Sequence, residues 1–148
     1  MIYNQAMKKV IFCIVLLLFL GGCRKAEAIR FENVSLEKLL AQASRENKPL
    51  LIYWTVGESC SPCVYMEKNV LPLPQVVEYF NDNFICGSTG TGAISPLRSS
   101  IKDRFVLRRF PTSLILDPNG NELGRIEGRT KDGEEYIRKV KEILANVQ

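Results

Sequence analysis

A continuous apolar run over residues 50–56 is the feature that most constrains the fold of this chain. The run consists of aliphatic, aromatic and β-branched residues, and Lys48-Pro49 before it ends a helical pattern. A strand with one solvated face alternates between apolar and polar residues, whereas an uninterrupted run predicts a strand that is buried on both faces. We therefore expect a parallel or mixed sheet that is flanked by helices.

The rest of the chain supplies helices and three shorter strands. Helical patterns cover residues 36–47, 60–69, 75–81, 97–105 and 132–146. Strand patterns cover residues 84–86, 113–117 and 122–127, and the last two are joined by a turn at Pro118-Asn119-Gly120. Residues 87–95 are rich in Gly, Ser and Thr and are predicted to form a loop. The order predicts one α/β domain, a βαβ unit followed by a ββα unit.

Composition excludes several classes of chemistry. The chain has 148 residues, which suits one domain of ordinary size. It has no histidine, and this excludes Ser-His-Asp and Cys-His catalysis as well as metal sites with histidine ligands. A net charge of +4 is too small and too evenly spread to predict nucleic-acid binding. The five cysteines are the residues whose chemistry has to be explained.

Residues 1–22 are predicted to form a signal peptide, which would remove Cys13. Two lysines precede an apolar run over residues 10–20, which is shorter than the about 20 residues needed to span a bilayer. The run leads into Leu20-Gly21-Gly22-Cys23, which resembles the lipobox of bacterial lipoproteins. That resemblance implies cleavage before Cys23 and a lipid on its side chain and amine. An ordinary signal peptide cut nearby and an uncleaved anchor are the alternatives.

Three consequences follow from the lipobox interpretation. Residues 23–34 become a lipidated tether and residues 35–148 become the folded domain. The protein is then extracytoplasmic and anchored to a bacterial membrane, facing the periplasm if the cell has an outer membrane. Disulfides persist in such a compartment.

Cys60-Ser61-Pro62-Cys63 stands at the predicted start of a helix, with Pro62 in its first turn. Unpaired backbone N–H groups and the helix dipole favour the thiolate form of Cys60 there. Cys63 lies one turn along the same face, where it can close a small disulfide or resolve a mixed one. The same spacing occurs in zinc and iron–sulfur sites. Zinc needs four ligands, however, and Cys86 is the one other thiol expected in the domain, so we expect no metal.

Residues 48–146 resemble the thioredoxin superfamily, which implies an α/β fold with a central mixed sheet of about four strands flanked by helices. The motifs that carry the resemblance are Pro49 to Trp54, the cysteine motif, Phe110-Pro111-Thr112, Asp117-Pro118-Asn119-Gly120 and Gly128. A closer likeness is to lipoprotein thioredoxins and to the periplasmic thioredoxin-like domain of membrane disulfide reductases. It is carried by Met66-Glu67, Val70-Leu71 and Pro74-Gln75-Val76.

The resemblance also implies a docking site at Phe110-Pro111-Thr112. Pro111 would be cis and would face the cysteine pair, and the backbone of Phe110 would pair with an extended substrate segment. No cofactor is implied beyond the redox-active Cys60–Cys63 disulfide. The implied partners are substrate proteins with disulfides or thiols, an upstream thiol–disulfide electron donor or acceptor, and the membrane through the lipid on Cys23.

The sequence departs from many thioredoxins close to the motif. Ser59 replaces a tryptophan, and Ile52 fills the strand position where an acidic residue assists proton transfer. Glu58 is therefore a candidate for proton transfer near Cys63, against the simpler interpretation of a solvated loop residue.

Several other residues have competing interpretations. Arg108 and Arg109 are either solvated or a source of positive potential that stabilises a thiolate or favours acidic partners. Trp54 is either core or groove border, and Cys86 is either a packed hydrophobe or a regulatory thiol.

These observations predict a membrane-anchored, extracytoplasmic thiol–disulfide oxidoreductase. The Ser-Pro pair, without histidine, lacks the extra thiolate stabilisation of strongly oxidising relatives, which favours a reductase. The alternatives are a non-catalytic binding module with a structural disulfide, and a copper(I) metallochaperone that uses the two thiols.

Overall fold

A mixed four-stranded sheet in the order β2-β1-β3-β4 forms the centre of the protein. The computed structural model describes residues 27–90 and 94–146. β1 pairs in parallel with β2 and antiparallel with β3, and β4 pairs antiparallel with β3, which confirms the expected α/β fold. The strands are β1 (Leu50–Trp54), β2 (Ile85–Ser88), β3 (Thr112–Leu116) and β4 (Glu122–Glu127).

Helices cover both faces of this sheet and create two cores. The described helices are α1 (Leu36–Glu46), α2 (Ser61–Asn69), α3 (Pro74–Asn83), α4 (Pro96–Ile101) and α5 (Gly133–Ala145), with a 3-10 turn at Gly57–Ser59. Leu51 and Tyr53 of β1 pack with α2, α3 and α5 on one face. The alternate residues of β1 pack with α1 and α4 on the other face. Burial on both faces is why the strand is apolar throughout.

The predicted signal peptide, Cys13 and the predicted lipidation site Cys23 lie outside the described residues. Among the residues that are described, no helix is both long and apolar enough to cross a bilayer. The described part of the predicted tether lies against the domain, because Ile29 is buried in the core and Glu32 forms a parallel bridge with Gly87. The folded unit therefore includes residues before Ser35.

Strand β2 is longer than expected, since Gly87 and Ser88 were predicted to belong to a loop. Gly87 lies where two helices pack closely on the strand: a Cβ atom there would be 2.5 Å from Leu39 Cδ1 and 2.9 Å from Leu97 Cδ2. This glycine therefore allows α1 and α4 to pack closely on β2, and it does not form a turn.

Two other elements are shorter than their sequence patterns. Helix α4 ends at Ile101 instead of residue 105, and Phe105 and Leu107 beyond it pack against the core of α1 and α4. β1 ends at Trp54 because the next amide, that of Thr55, donates to the Thr89 hydroxyl at 3.1 Å.

The close packing at Gly87 leads to a stability prediction. Gly87→Ala is expected to lower the free energy of unfolding by about 1–3 kcal/mol, because the added methyl group has to displace Leu39 and Leu97. Urea denaturation followed by circular dichroism measures the change. Ser99→Ala, at an exposed position of α4, is the control and should unfold close to the wild-type midpoint. An unchanged midpoint for Gly87→Ala would contradict the packing described.

Candidate functional site

Cys60 and Cys63 form a disulfide at the start of α2, with their Cα atoms 5.2 Å apart. Cys60 occupies the N-cap position, and its sulfur accepts a hydrogen bond from the Cys63 amide at 3.2 Å. Ser61 and Pro62 lie between them in the exposed first turn. The side chain of Cys63 is fully buried, whereas Cys60 retains 9% exposure. Cys60 is therefore the sulfur that a partner can reach first.

The Phe110-Pro111-Thr112 segment lies at the same end of the sheet as the cysteine motif. Thr112 pairs with Trp54, the last residue of β1, and the chain from Trp54 leads directly into the turn before Cys60. The Phe110–Pro111 peptide is cis, as expected. The Pro111 carbonyl accepts a hydrogen bond from the Gly128 amide at 2.7 Å, which ties this segment to the end of β4.

Thr55 connects the segments that lead into the motif through its hydroxyl, amide and carbonyl groups, and the sequence gives little sign of this role. Its hydroxyl donates to Glu67 Oε1 at 2.8 Å and accepts from the Gly57 amide at 3.2 Å. Its amide and carbonyl both bind the Thr89 hydroxyl, each at 3.1 Å. The one available signal was a hydroxyl residue within an apolar run, because a buried hydroxyl requires a partner.

Arg98 is a second residue whose place near the motif is not evident from the sequence. Its guanidinium carbon lies 5.0 Å from the centroid of the Trp54 ring, and Nη2 donates to the carbonyls of Thr55 at 2.8 Å and Gly90 at 3.3 Å. The Trp54 ring also stacks on the ring of Phe110, with the two ring centroids 6.1 Å apart. Trp54 is thus part of the core, and it also connects Phe110 to Arg98 of α4.

Two carboxylates lie near the motif in different settings. Glu58 is exposed in the 3-10 turn before Cys60, so its role in proton transfer stays a prediction. Glu67 is partly buried on α2, one turn after Cys63, and is held by Thr55. Residues four apart on a helix are neighbours, so Glu67 is a carboxylate on the Cys63 side of the helix.

Cys86 is the free thiol among the described residues, and it is buried in the core. Its sulfur lies 3.9 Å from the Phe80 carbonyl oxygen. Burial raises the pKa of the Cys86 thiol to about 12, with a small opposing effect from Lys48. This environment confirms the interpretation of Cys86 as a packed hydrophobe.

A family model described as a thioredoxin-like domain matches residues 36–144. The chain belongs to this thioredoxin-like family. A solved structure titled DsbH oxidoreductase is 20% identical, with a TM-score of 0.68 over 85% of this chain and 92% of that one. A thioredoxin from Thermus thermophilus is 21% identical, with a TM-score of 0.63 over 79% and 88% of the two chains.

The same fold occurs in the oxidised C-terminal domain of DsbD from Neisseria meningitidis. That structure is 16% identical, with a TM-score of 0.57 over 78% of this thioredoxin-like chain and 98% of that one. At these identities the likeness establishes the fold. Among curated proteins, no sequence matches this chain.

The hydrogen bonds of Thr55 lead to a prediction for the approach to the motif. Thr55→Val keeps the shape but removes the hydroxyl, leaving Glu67 and the Gly57 amide without this partner. We expect a loss of about 1–3 kcal/mol in the free energy of unfolding, measured by urea denaturation. Thr55→Ser keeps the hydroxyl and should recover most of the loss. Equal stabilities of the valine and serine variants would contradict the role assigned to the hydroxyl.

The three described cysteines are expected to differ in reactivity. In the reduced, folded protein at pH about 8, iodoacetamide should alkylate Cys60 at least about 100-fold faster than Cys86, whose pKa of about 12 keeps its buried thiol protonated. Timed labelling followed by peptide mass spectrometry measures both rates. Labelling in denaturant is the control and should modify all of these cysteines. Comparable rates for Cys60 and Cys86 in the folded protein would refute the assignment.

Proposed function

We propose that this protein is a thiol–disulfide oxidoreductase that acts on protein disulfides through Cys60 and Cys63. The observation that carries the proposal is the disulfide at the start of α2, whose more exposed sulfur belongs to Cys60. A helix start favours the thiolate of the residue at its N-cap. The cis Pro111 peptide at the same end of the sheet supports a docking role for Phe110, Pro111 and Thr112.

The reaction is a pair of thiol–disulfide exchanges that together move two electrons. The Cys60 thiolate attacks one sulfur of a substrate disulfide, forms a mixed disulfide and releases the other substrate sulfur as a thiolate. Cys63 then loses its proton and attacks the Cys60 sulfur, which breaks the mixed disulfide and releases the second substrate thiolate. The substrate disulfide becomes two thiols, and Cys60 and Cys63 become a disulfide.

The proton of Cys63 needs an acceptor because this thiol is buried. Glu58 was proposed from the sequence, and its exposed position allows it to exchange protons with solvent. Glu67 is the alternative, because it lies one turn along α2 from Cys63 and is anchored by Thr55. The reaction can also run in the opposite direction, with the oxidised pair donating its disulfide to a dithiol.

We further propose that the protein works as a reductase on the extracytoplasmic side of the cytoplasmic membrane, anchored to a bacterial membrane by lipid and facing the periplasm if the cell has an outer membrane. The Ser61-Pro62 pair and the absence of histidine favour a reductant over a strong oxidant. The lipobox-like sequence that ends at Cys23 supports a lipid anchor, and an extracytoplasmic location would accompany it. A dithiol donor protein would then have to return two electrons to the Cys60–Cys63 disulfide after each cycle.

Insulin reduction tests the proposed chemistry. With dithiothreitol as electron source, the protein should accelerate reduction of insulin disulfides, measured by the turbidity of the released chain. Cys60→Ser should abolish the acceleration because it removes the attacking sulfur. Cys63→Ser, reduced beforehand and mixed with insulin in the absence of dithiothreitol, should accumulate a mixed disulfide between Cys60 and the substrate, visible on a non-reducing gel. Cys86→Ala keeps both motif sulfurs and is the matched control that should retain turnover.

The reduction potential then separates the candidate functions. Equilibration with dithiol buffers is expected to give a value nearer that of thioredoxin, about −270 mV, than that of DsbA, about −120 mV. A reduction potential below about −300 mV, together with no reduction of insulin, would indicate a binding module with a structural disulfide. Stoichiometric copper(I) binding without turnover would instead indicate a metallochaperone.

A further inference from the structure

Four exposed basic side chains lie on two segments that border the disulfide site. We call them the basic rim: Arg108, Arg109, Arg129 and Lys131. The first two directly precede the Phe110-Pro111 peptide, and the other two follow Gly128 at the end of β4. The hydrogen bond from the Gly128 amide to the Pro111 carbonyl, at 2.7 Å, joins the two segments.

The second of these segments is packed directly on the helix that begins at the disulfide. The guanidinium carbon of Arg129 lies 4.3 Å from the centroid of the Tyr65 ring, and the Tyr65 hydroxyl donates to the Lys131 carbonyl at 2.8 Å. Tyr65 is two residues beyond Cys63 on α2. The rim therefore adjoins both the Phe110-Pro111 peptide and helix α2, the two elements that are proposed to meet a partner.

The basic side chains of the rim are less tightly paired with carboxylates than three basic side chains on the adjoining elements β4 and α5. Three close ion pairs occupy the surface of β4 and α5: Arg125–Glu122 at 2.6 Å, Arg138–Glu142 at 2.6 Å and Lys139–Glu135 at 2.9 Å. In the rim, Arg109 lies 3.8 Å from Glu127, and its side chain is 75% exposed.

Arg108, Arg129 and Lys131 form no ion pair with the residues described. The acidic side chains closest to these segments and to the turn before Cys60 are Glu58, Glu127, Asp132 and Glu135. Asp132 follows Lys131 directly, and the Glu135 carboxylate accepts from the Lys131 amide at 2.6 Å and pairs with Lys139 at 2.9 Å. These carboxylates offset the charge at Lys131, so the uncompensated positive charge of the rim is concentrated at Arg108, Arg109 and Arg129.

We propose that the basic rim selects substrate proteins whose disulfide lies in an acidic segment. This inference rests on the proposed function, because it concerns the partner that the Cys60–Cys63 pair reduces. An extended segment that pairs with the backbone of Phe110 passes next to Arg108 and Arg109, and its continuation past Gly128 meets Arg129. Carboxylates on that segment complement the rim, whereas lysines are repelled by it.

Exposed charges of this kind mainly change the rate at which the two proteins associate. Exposed charges attract a partner over about a Debye length, which is about 10 Å at 0.1 M salt, and they change the association rate more than the chemistry that follows. The acidic preference should therefore appear in the second-order rate constant of disulfide reduction, and it should diminish as salt is added.

The test uses three synthetic peptides that carry the same intramolecular disulfide, flanked by aspartates, asparagines or lysines. Stopped-flow measurements give the rate constant for each peptide with the fully reduced protein. At about 30 mM salt we expect the aspartate peptide to react about 5–10-fold faster than the asparagine peptide, and the lysine peptide to react slowest. At about 500 mM salt the three rates should converge to within about twofold.

Charge variants locate the effect on the rim. Arg108→Gln/Arg109→Gln should reduce the ratio of the aspartate rate to the asparagine rate towards 1, and Arg108→Glu/Arg109→Glu should favour the lysine peptide. Arg138→Gln removes the same kind of charge from α5 and is the matched control, so it should keep the wild-type ratio. Ratios taken within each variant cancel any change in the reactivity of Cys60 itself.

Failure of the inference is distinguishable from failure of the proposed function. Dipyridyl disulfide is uncharged and small, so its reaction with reduced protein reports the thiol chemistry alone. If that reaction is no faster than with Cys60→Ser, the proposed function fails and the inference fails with it. If the protein reduces dipyridyl disulfide but shows equal rates with the three peptides, the inference alone is overturned. A preference for the lysine peptide would overturn it as well.

Discussion

Burial of β1 on both faces is the constraint on which the rest of the structure depends. Leu51 and Tyr53 face one helical layer, and Leu50, Ile52 and Trp54 face the other. β1 therefore contributes to both cores, and its end fixes where the chain leaves the sheet. That end is Trp54, and from it the 3-10 turn and Cys60 follow within six residues. The position of the disulfide is thus set by packing that lies well below the surface.

The two motif cysteines differ because the helix start is half embedded in this packing. Cys63 is covered completely, with Met66 buried one turn further along α2. Cys60 lies at the cap, where the helix has unpaired amides to offer to a negatively charged sulfur. Buried Cys86 is set apart from both, since its protonated thiol is a poor nucleophile. Burial and position at the helix start thus give three cysteines of one domain three different environments.

The sequence was sufficient for features that depend on neighbouring residues. The apolar run of β1, Pro62 in the first turn of α2 and the hairpin turn at Pro118-Asn119-Gly120 each have a local physical cause. Gly87 was wrongly predicted to lie in a loop. A glycine is required there because Leu39 and Leu97, which are distant in sequence, occupy the space that a side chain would fill. Local composition in Gly, Ser and Thr cannot distinguish a loop from such a close contact.

The network around Thr55 was beyond prediction for a similar reason. Arg98 reaches the Thr55 carbonyl across 43 positions of sequence, and Thr89 does so across 34. Each of these residues is polar and unremarkable in its own segment, and only the assembled fold gives it a partner. The cis Pro111 peptide was expected from a family resemblance, and no property of the isolated segment required it.

The docked segment before α1 limits how far the domain can move from an anchor. Ile29 is buried, and the Glu32 amide and carbonyl bind Cys86 and Ser88 along the edge of β2. If Cys23 carries the proposed lipid, five residue steps separate it from Ala28, and a fully extended chain spans about 17 Å over that length. The point where the chain enters the domain would then stay within about 17 Å of the lipid, so the electron donor and the substrates would have to reach the domain at the membrane surface.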